Sequence, residues 1–583
     1  MRSRVRLRRS CSFLLAASLL LAGCRSSLPE KSSQAAPPKP ALTFVADPQC
    51  PPASNDRIYR HIEGLDACPT ALSASDIQAE LNDPFATAVL RQNAFPITVD
   101  AVVQAVVAGV PRLAAGQKNY VVGEGSQVPL SVAPREADRS LRYVLTWAET
   151  GGNADILLSA KPGGSSSFLQ VMSWDAKKNR YNFYECTTDE RVWRWAGDTG
   201  HARQPRTAGQ GCFDCHHNGV VIMKELSVPW NNWHSQRTTI DPNVVPQAVA
   251  REQFFRDRVG AEQLESSVRG GTQRYYTAWL RGLFQKQPDG SVVVNGLPEL
   301  LRHVITNTTV NFASTQVPSA DPQASVGGLP SDFFVRDSVL RNSPVELSYA
   351  FPDSLRIDRA RHAAFLQAHQ FRLEQARAPT YAQPGSTFYA FFVPVPAEED
   401  TLVTRMLLNN KVVSAKFVAS LLMVDFANPV FSTTRDTLLE YAEQLPTGTL
   451  KGNQSDVPAR FAALVSDAAK AQPSCVPEQL DACTAEQQFL FFWNLPDESW
   501  KSEMQARVGR YLAAVGERIA TGQGTDDYLR LAASRQRQFA RWPVIQNLNE
   551  FSLLLPATSL ASEPPLRMKP DGTLDTGALP SRP

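Results

Sequence analysis

The spacing of hydrophobic residues changes along the chain, and each pattern predicts a different architecture. Between residues 120 and 195, short runs of aromatic and β-branched residues alternate with turn-forming segments such as 151–153, which is typical of an antiparallel β-meander. The predicted strands are 141–147, 155–159, 168–174, 180–184 and 192–195. Beyond Pro229 the pattern becomes mixed and then mainly helical. The predicted helices there are 358–377, 402–425, 437–444, 459–471, 498–521 and 526–541.

These patterns, with changes in composition, predict an α+β multidomain protein in which an antiparallel β-meander precedes a mainly helical C-terminal region. The boundaries follow Ser-, Pro- and Gly-rich stretches and changes of period. The expected parts are a signal peptide 1–23, a flexible tether 24–45, a small N-terminal unit 46–117, a meander domain 118–245, a mixed linker region 246–345, a mainly helical domain 346–561 and a disordered tail 562–583.

The N-terminus carries an export signal. Basic residues precede an apolar core, 13–21, which is too short to span a bilayer permanently. The core ends in Leu21-Ala22-Gly23-Cys24, which resembles the bacterial lipobox. This resemblance implies cleavage before Cys24 and attachment of a diacylglyceryl group to its thiol, so that the protein is lipid-anchored. Arg25, in place of an aspartate, favours the outer membrane by the same resemblance; the alternative is an ordinary cleaved secretory signal.

Charge argues against a nucleic-acid partner. The chain has 59 Lys and Arg against 57 Asp and Glu, a formal net charge of +2. Removal of residues 1–23 takes away five arginines and no acids, which leaves a charge of −3 on the mature protein. A balanced surface lacks the basic footprint of nucleic-acid binding.

Nine cysteines are present, and an oxidising compartment makes local disulfides plausible. Cys50 and Cys68 flank one short loop, and Cys475 and Cys483 flank another. Cys186 is left over, and we interpret it as a small buried hydrophobe rather than a reactive thiol or distal ligand.

The strongest chemical signal is Cys212-Phe213-Asp214-Cys215-His216, a Cys-x-x-Cys-His motif. Two thiols at this spacing add to the two vinyl groups of haem, and the adjacent histidine binds the iron. The motif therefore predicts one covalent haem c held by Cys212 and Cys215, with His216 as axial ligand. Half of a zinc site and a thioredoxin-like redox pair are the alternatives, but the first needs a second ligand pair and the second a βαβ context.

The sixth ligand of the iron is open from the sequence. Met223 lies seven residues after His216, and its short tether favours the proximal side. Histidines 201, 234 and 303 are further candidates, although a lone histidine is usually a satisfied polar group. The remaining methionines considered are Met172, Met406 and Met423. Arg203, Arg206 and Lys224 are available to pair with haem propionates or with solvent.

The motif resembles that of c-type cytochromes in general. A β-meander followed by this motif, over residues 118–235, is similar to the cytochrome c-prime-beta group, which implies a sheet that encloses the haem. The expected function is single-electron transfer by an exported, membrane-tethered cytochrome to redox partner proteins in the periplasm or at the cell surface. The alternatives are a haem enzyme or gas sensor with an open distal site, and a binding or scaffold lipoprotein with an accessory haem.

Overall fold

The computed structural model combines helices with a large, mainly antiparallel sheet. It describes residues 50–123, 141–149, 152–162, 169–186, 191–221, 245–260, 263–308, 310–314, 326–375, 378–385, 392–540 and 556–576. The strands of the large sheet are β1 Ile58–Arg60, β2 Thr70–Ala71, β3 Lys118–Gly123, β4 Leu141–Trp147, β5 Ile156–Ala160, β6 Leu169–Asp175, β7 Arg180–Cys186 and β8 Trp193–Asp198. Their order is β2-β1-β8-β7-β6-β5-β4-β3.

Strands β3 to β8 follow one another in space as they do in sequence, and each pairs antiparallel with the next. This is a meander. Strands β4 to β8 lie within a few residues of the five strands that the alternation of apolar residues predicts, and β3 is an additional strand. The register places one set of side chains on the face of the sheet that also meets residues 212–216, and we call it the motif face. Its members on β4 to β7 are Arg142, Val144, Thr146, Leu157, Ser159, Gln170, Met172, Trp174, Tyr181, Phe183 and Glu185.

The N-terminal segment belongs to the same sheet, whereas the sequence predicts a separate unit over 46–117. Strand β1 pairs parallel with β8, and β2 continues the sheet at that edge. The helices of this segment are α1 Ala74–Glu80, α2 Pro84–Ala88, α3 Val99–Gly109 and α4 Pro111–Ala114. Phe85 of α2 packs on Tyr184 and Trp193, with ring centroids 5.0 and 5.2 Å apart, and so covers the face opposite the motif face.

Helices and short sheets make up the rest of the described chain. The helices are α5 Thr199–Ala202, α6 Cys212–Cys215, α7 Gln247–Ala250, α8 Gln253–Arg256, α9 Leu264–Leu283, α10 Leu297–Ile305, α11 Asp337–Leu340, α12 Arg359–Ala368, α13 Glu398–Asn409, α14 Ala415–Leu422, α15 Thr433–Asp436, α16 Leu439–Glu443, α17 Val457–Ala469, α18 Ala485–Trp493, α19 Trp500–Ile519 and α20 Gly522–Ala540. The strands are β9 Phe284–Lys286, β10 Val292–Asn295, β11 Val310–Ser314, β12 Val326–Gly328, β13 Arg356–Asp358, β14 Arg372–Gln375, β15 Ala378–Pro384, β16 Phe392–Pro396, β17 Thr447–Lys451, β18 Gln454–Ser455, β19 Arg567–Met568 and β20 Leu574–Asp575.

Two predicted helices are shorter than the apolar spacing suggests. The expected helix 402–425 is divided into α13 and α14, because Lys411 has a φ of +59° and the chain turns there before Ser414 caps α14. The expected helix 358–377 ends at Ala368, and the chain continues into the β14–β15 hairpin.

The C-terminal segment differs from the predicted disordered tail over 562–583. Residues 567–575 form the β19–β20 hairpin. Leu566 and Met568 are 4% and 2% exposed, and Asn428 binds the backbone of Met568 through both atoms of its amide. Composition favoured disorder, but two buried apolar side chains and a buried amide hold these residues on the body.

In the described ranges, none of the helices is long and apolar enough to cross a membrane.

Candidate functional site

The loop before the motif is tied back onto the sheet at both ends. Asp198 ends β8 and caps α5, accepting hydrogen bonds from the backbone N–H groups of Gly200 and His201 at 2.9 and 3.1 Å. Thr199 donates its hydroxyl to the carbonyl of Gly219, 2.9 Å away. The chain therefore leaves the sheet, forms α6 and returns to the point at which it left.

Asp198 also holds α5 through its negative charge. Burial raises the pKa of Asp198, but the hydrogen bond and charge of His201 and the charge of Arg180 outweigh it and lower that pKa to about 2. Arg180 Nη1 lies 2.9 Å from the carboxylate. Asp198 is thus ionised at neutral pH and holds α5 in place.

Gly219 is required where the loop closes. Its φ is +67°, and a Cβ at this position would lie 2.7 Å from Cα of Thr199. Any larger residue would meet backbone and would be strained, so the return of the chain after the motif depends on a glycine here.

Phe213 fixes α6 on the motif face. Its ring is 2% exposed and packs edge-on against Phe183 of β7, with centroids 5.3 Å apart. A helix of four residues cannot be stable by itself, so this aromatic contact is what positions the two cysteines that flank it.

Cys212 is half-buried and forms no disulfide. Burial, followed by the negative charges of Glu185 and Glu63, raises the pKa of its thiol well above the ordinary value. It is therefore a neutral thiol at pH 7. The side chain of Cys215 lies outside what the structure describes.

His216 has the hydrogen bond that a metal-binding imidazole needs. Its Nδ1 lies 2.9 Å from the carbonyl oxygen of Val220. Because a carbonyl only accepts, Nδ1 carries the proton and Nε2 keeps its lone pair. Burial, with the charge of Arg142 adding to it, lowers the pKa of His216 to about 4, so the ring is neutral at physiological pH. An orienting bond on the second ring nitrogen is the usual partner of a metal-ligating histidine.

The motif face beside these residues is amphipathic. Leu157, Met172 and Phe183 form one row of buried apolar side chains across three strands. The neighbouring row of side chains on this face is half-buried and more polar. At its border, the guanidinium of Arg142 donates a hydrogen bond to the Ser159 hydroxyl at 3.5 Å. Apolar side chains with a cation at their border suit haem, whose macrocycle is apolar and whose propionates are anionic. The donor set and its surroundings therefore fit a covalent haem.

Glu185 on the same face is an acid with a raised pKa. Burial, followed by the charge of Glu63, raises its pKa to about 7, while the charge of Arg194 opposes the shift. Alternation along β7 puts Glu185 on the motif face with Phe183. This was the signal in the sequence that could have identified it.

Glu185→Gln is expected to stabilise the protein at pH 8 and to have little effect at pH 5. Because the folded pKa exceeds the unfolded value, the carboxyl contributes stability at low pH that is lost as pH rises through about 7. Glutamine does not ionise, so the variant avoids this loss. We expect its free energy of unfolding at pH 8 to be higher by an amount on the order of 1 kcal/mol, with solvent screening allowed for. Urea unfolding at both pH values measures it. Glu149→Gln, an exposed control, should show no such difference, and an equal effect of Glu185→Gln at both pH values would contradict the prediction.

Most other predicted site residues lie apart from the motif face or are held elsewhere. His303 binds Asp400 at 2.7 Å and is 2% exposed, and His201 binds Asp198. Arg203 forms an ion pair with Glu299 and stacks over Trp279, so its charge is already paired within the protein. Cys24, Met223, Lys224 and His234 lie outside the described residues.

The remaining cysteines are accounted for as follows. Cys50 and Cys68 are joined with an S–S distance of 2.00 Å, and Cys475 and Cys483 with one of 2.07 Å. Cys186 is buried without a disulfide on the face opposite the motif face, and burial raises its pKa to about 12.

Within the described ranges, no group of three His, Cys, Asp or Glu side chains is placed to hold a metal ion.

Comparison of the chain with protein-family models, with curated proteins and with solved structures finds no match. The similarity of residues 118–235 to the cytochrome c-prime-beta group therefore stays a prediction from the sequence.

Proposed function

We propose that this protein is a membrane-tethered c-type cytochrome that binds one covalent haem and transfers single electrons in the periplasm or at the outer membrane. The observation that carries the proposal is the state of His216. Directly after the Cys-x-x-Cys pair stands a neutral imidazole whose Nδ1–H is fixed by the Val220 carbonyl, which leaves Nε2 available for iron.

In this proposal each part of the site has a separate task. Cys212 and Cys215 would hold the haem, and its iron, when bound, would take up and release one electron. His216 would supply the axial nitrogen. Phe213 and Phe183 keep the motif on the sheet, with the rings in edge contact. Arg142 offers positive charge on the same face for an anionic propionate.

A rigid setting suits electron transfer. The motif is bound to the sheet through Phe213, and the loop is closed by Thr199 and Gly219. A site that is held by contacts before and after the motif changes little in geometry when the charge on the iron changes. The reorganisation energy of electron transfer is therefore lower. The lipobox at Cys24 supports the membrane tether.

The test uses the full chain, expressed with its own signal in a bacterium that matures c-type cytochromes. We expect the protein in the membrane fraction, one haem per chain in alkaline pyridine, and a reversible one-electron potentiometric titration. The reduced protein should not form a carbonyl complex rapidly. Protein without covalent haem would overturn the proposal, and rapid carbonyl formation would favour an open-site haem enzyme or gas sensor instead.

A further inference from the structure

Met172 lies next to the residue that contacts the axial histidine. The register of β6 and β7 sets Met172 directly opposite Phe183, and the Phe183 ring centroid is 5.7 Å from that of His216. Side chains opposed in this way stand on one face of a sheet with Cβ atoms about 5 Å apart. Met172 and His216 are therefore both neighbours of Phe183.

The side chain of Met172 is of the kind that binds haem iron. A thioether is neutral and soft, and methionine with histidine is an established ligand pair in electron-transfer haem sites. Met172 is 7% exposed. Its three rotatable bonds let the sulfur adjust, while its backbone is held in the middle of the sheet.

Other donors on the motif face of β4 to β7 are less suited. The Tyr181 hydroxyl accepts a hydrogen bond from Arg274 at 2.9 Å, and Glu185 is a hard oxygen donor. Ser159 and Gln170 also offer only neutral oxygen or amide groups. Among these described side chains, Met172 supplies the one sulfur.

His201 faces the other way. Its ring packs edge-on against Trp195, with centroids 5.7 Å apart. The indole N–H of Trp195 donates to Asn182, which the register of β7 places on the face opposite the motif face. The nearest described histidine of the preceding loop is thus directed away from Met172.

We propose that Met172 is the sixth ligand of the haem iron, opposite His216. This inference rests on the proposed function, since it needs the covalent haem. It answers the question that the sequence left open, and it selects an electron carrier with both axial positions filled over an enzyme with an open site.

The test compares Met172→Leu with wild type, both purified as the full lipoprotein in detergent. Oxidised wild type should show the far-red charge-transfer band of a sulfur–iron bond. Met172→Leu should lose that band, keep its haem content, bind carbon monoxide rapidly when reduced, and have a lower midpoint potential. Leucine is close to methionine in volume, so the fold should be kept. Met172→His should block carbon monoxide again without restoring the band.

Two matched variants separate the remaining possibilities. Met423→Leu changes a still more deeply buried methionine, the C-cap residue of α14, and should leave all spectra unchanged. Loss of the band in Met223→Leu but not in Met172→Leu would overturn the inference in favour of the residue near the motif. Wild type with covalent haem but without the band would also overturn it while the cytochrome function stands. Wild type without covalent haem would instead refute the proposed function.

Discussion

Replacing Cys212 and Cys215 together by serine is expected to abolish covalent haem binding and to leave the polypeptide folded. A thioether bond needs the sulfur atom, and serine has nearly the same shape. The folding of α6 depends on Phe213 against Phe183 rather than on the cysteines. Haem staining on a denaturing gel and the intact mass of the chain measure the result: the wild type should carry the mass of one haem and the double variant none.

The control for this experiment is Cys186→Ala. Cys186 is buried on the face opposite the motif face, and we expect this variant to keep its full haem content. Each single variant, Cys212→Ser or Cys215→Ser, should be strongly impaired. Covalent haem at the wild-type level in the double variant would show that the motif is not the attachment site.

The meander could be predicted because each strand has an alternation of its own. Runs such as 141–147 and 168–174 contain aromatic and β-branched residues between clear turns, and the strands formed within a few residues of these limits. Alternation also divides the side chains of each strand between the two faces of the sheet, but it does not by itself place Met172 and Phe183 on the same face. What it does not give is the pairing register, which depends on contacts across strands.

The fate of the N-terminal segment could not be predicted, because it depends on distant contacts. Strand β1 is three residues long and pairs with β8, more than a hundred residues away. No local pattern marks such a partner. The same holds for the hairpin 567–575, which is ordered by burial of Met568 against the body. The composition of a polar segment indicates whether it can fold by itself. It does not show whether the segment will pack against another part of the protein.

The motif itself can be recognised in the sequence, whereas its structural setting could not be predicted. The residues 212–216 are contiguous, so the motif can be read directly. Arg142 and Glu185 influence the pKa values of His216 and Cys212 from strands that are distant in sequence. Their roles follow from the pleat of the sheet and from burial, which are properties of the folded chain.

Asp83→Ala is expected to destabilise the protein by about 3–5 kcal/mol, because it leaves several buried donors without an acceptor. Asp83 is fully buried, caps α2 and accepts hydrogen bonds from the Asn182 amide at 2.8 Å and the Tyr184 hydroxyl at 2.5 Å. Asp83 thus connects the N-terminal helices, through hydrogen bonds, to a central strand of the large sheet. The midpoint and slope of urea unfolding would measure the loss.

Asp100→Ala is the matched control, since Asp100 is an exposed acid in the first turn of α3 and should change stability by only about 0.3–1 kcal/mol. Asp83→Asn should fall between the two, because an amide still offers one acceptor of similar shape. If Asp83→Ala unfolds at the same urea concentration as Asp100→Ala, the N-terminal segment does not stabilise the sheet through this contact. If Asp83→Ala loses the expected stability, the N-terminal segment stabilises the sheet from the face opposite the motif face. The motif face would then need this segment in order to stay folded.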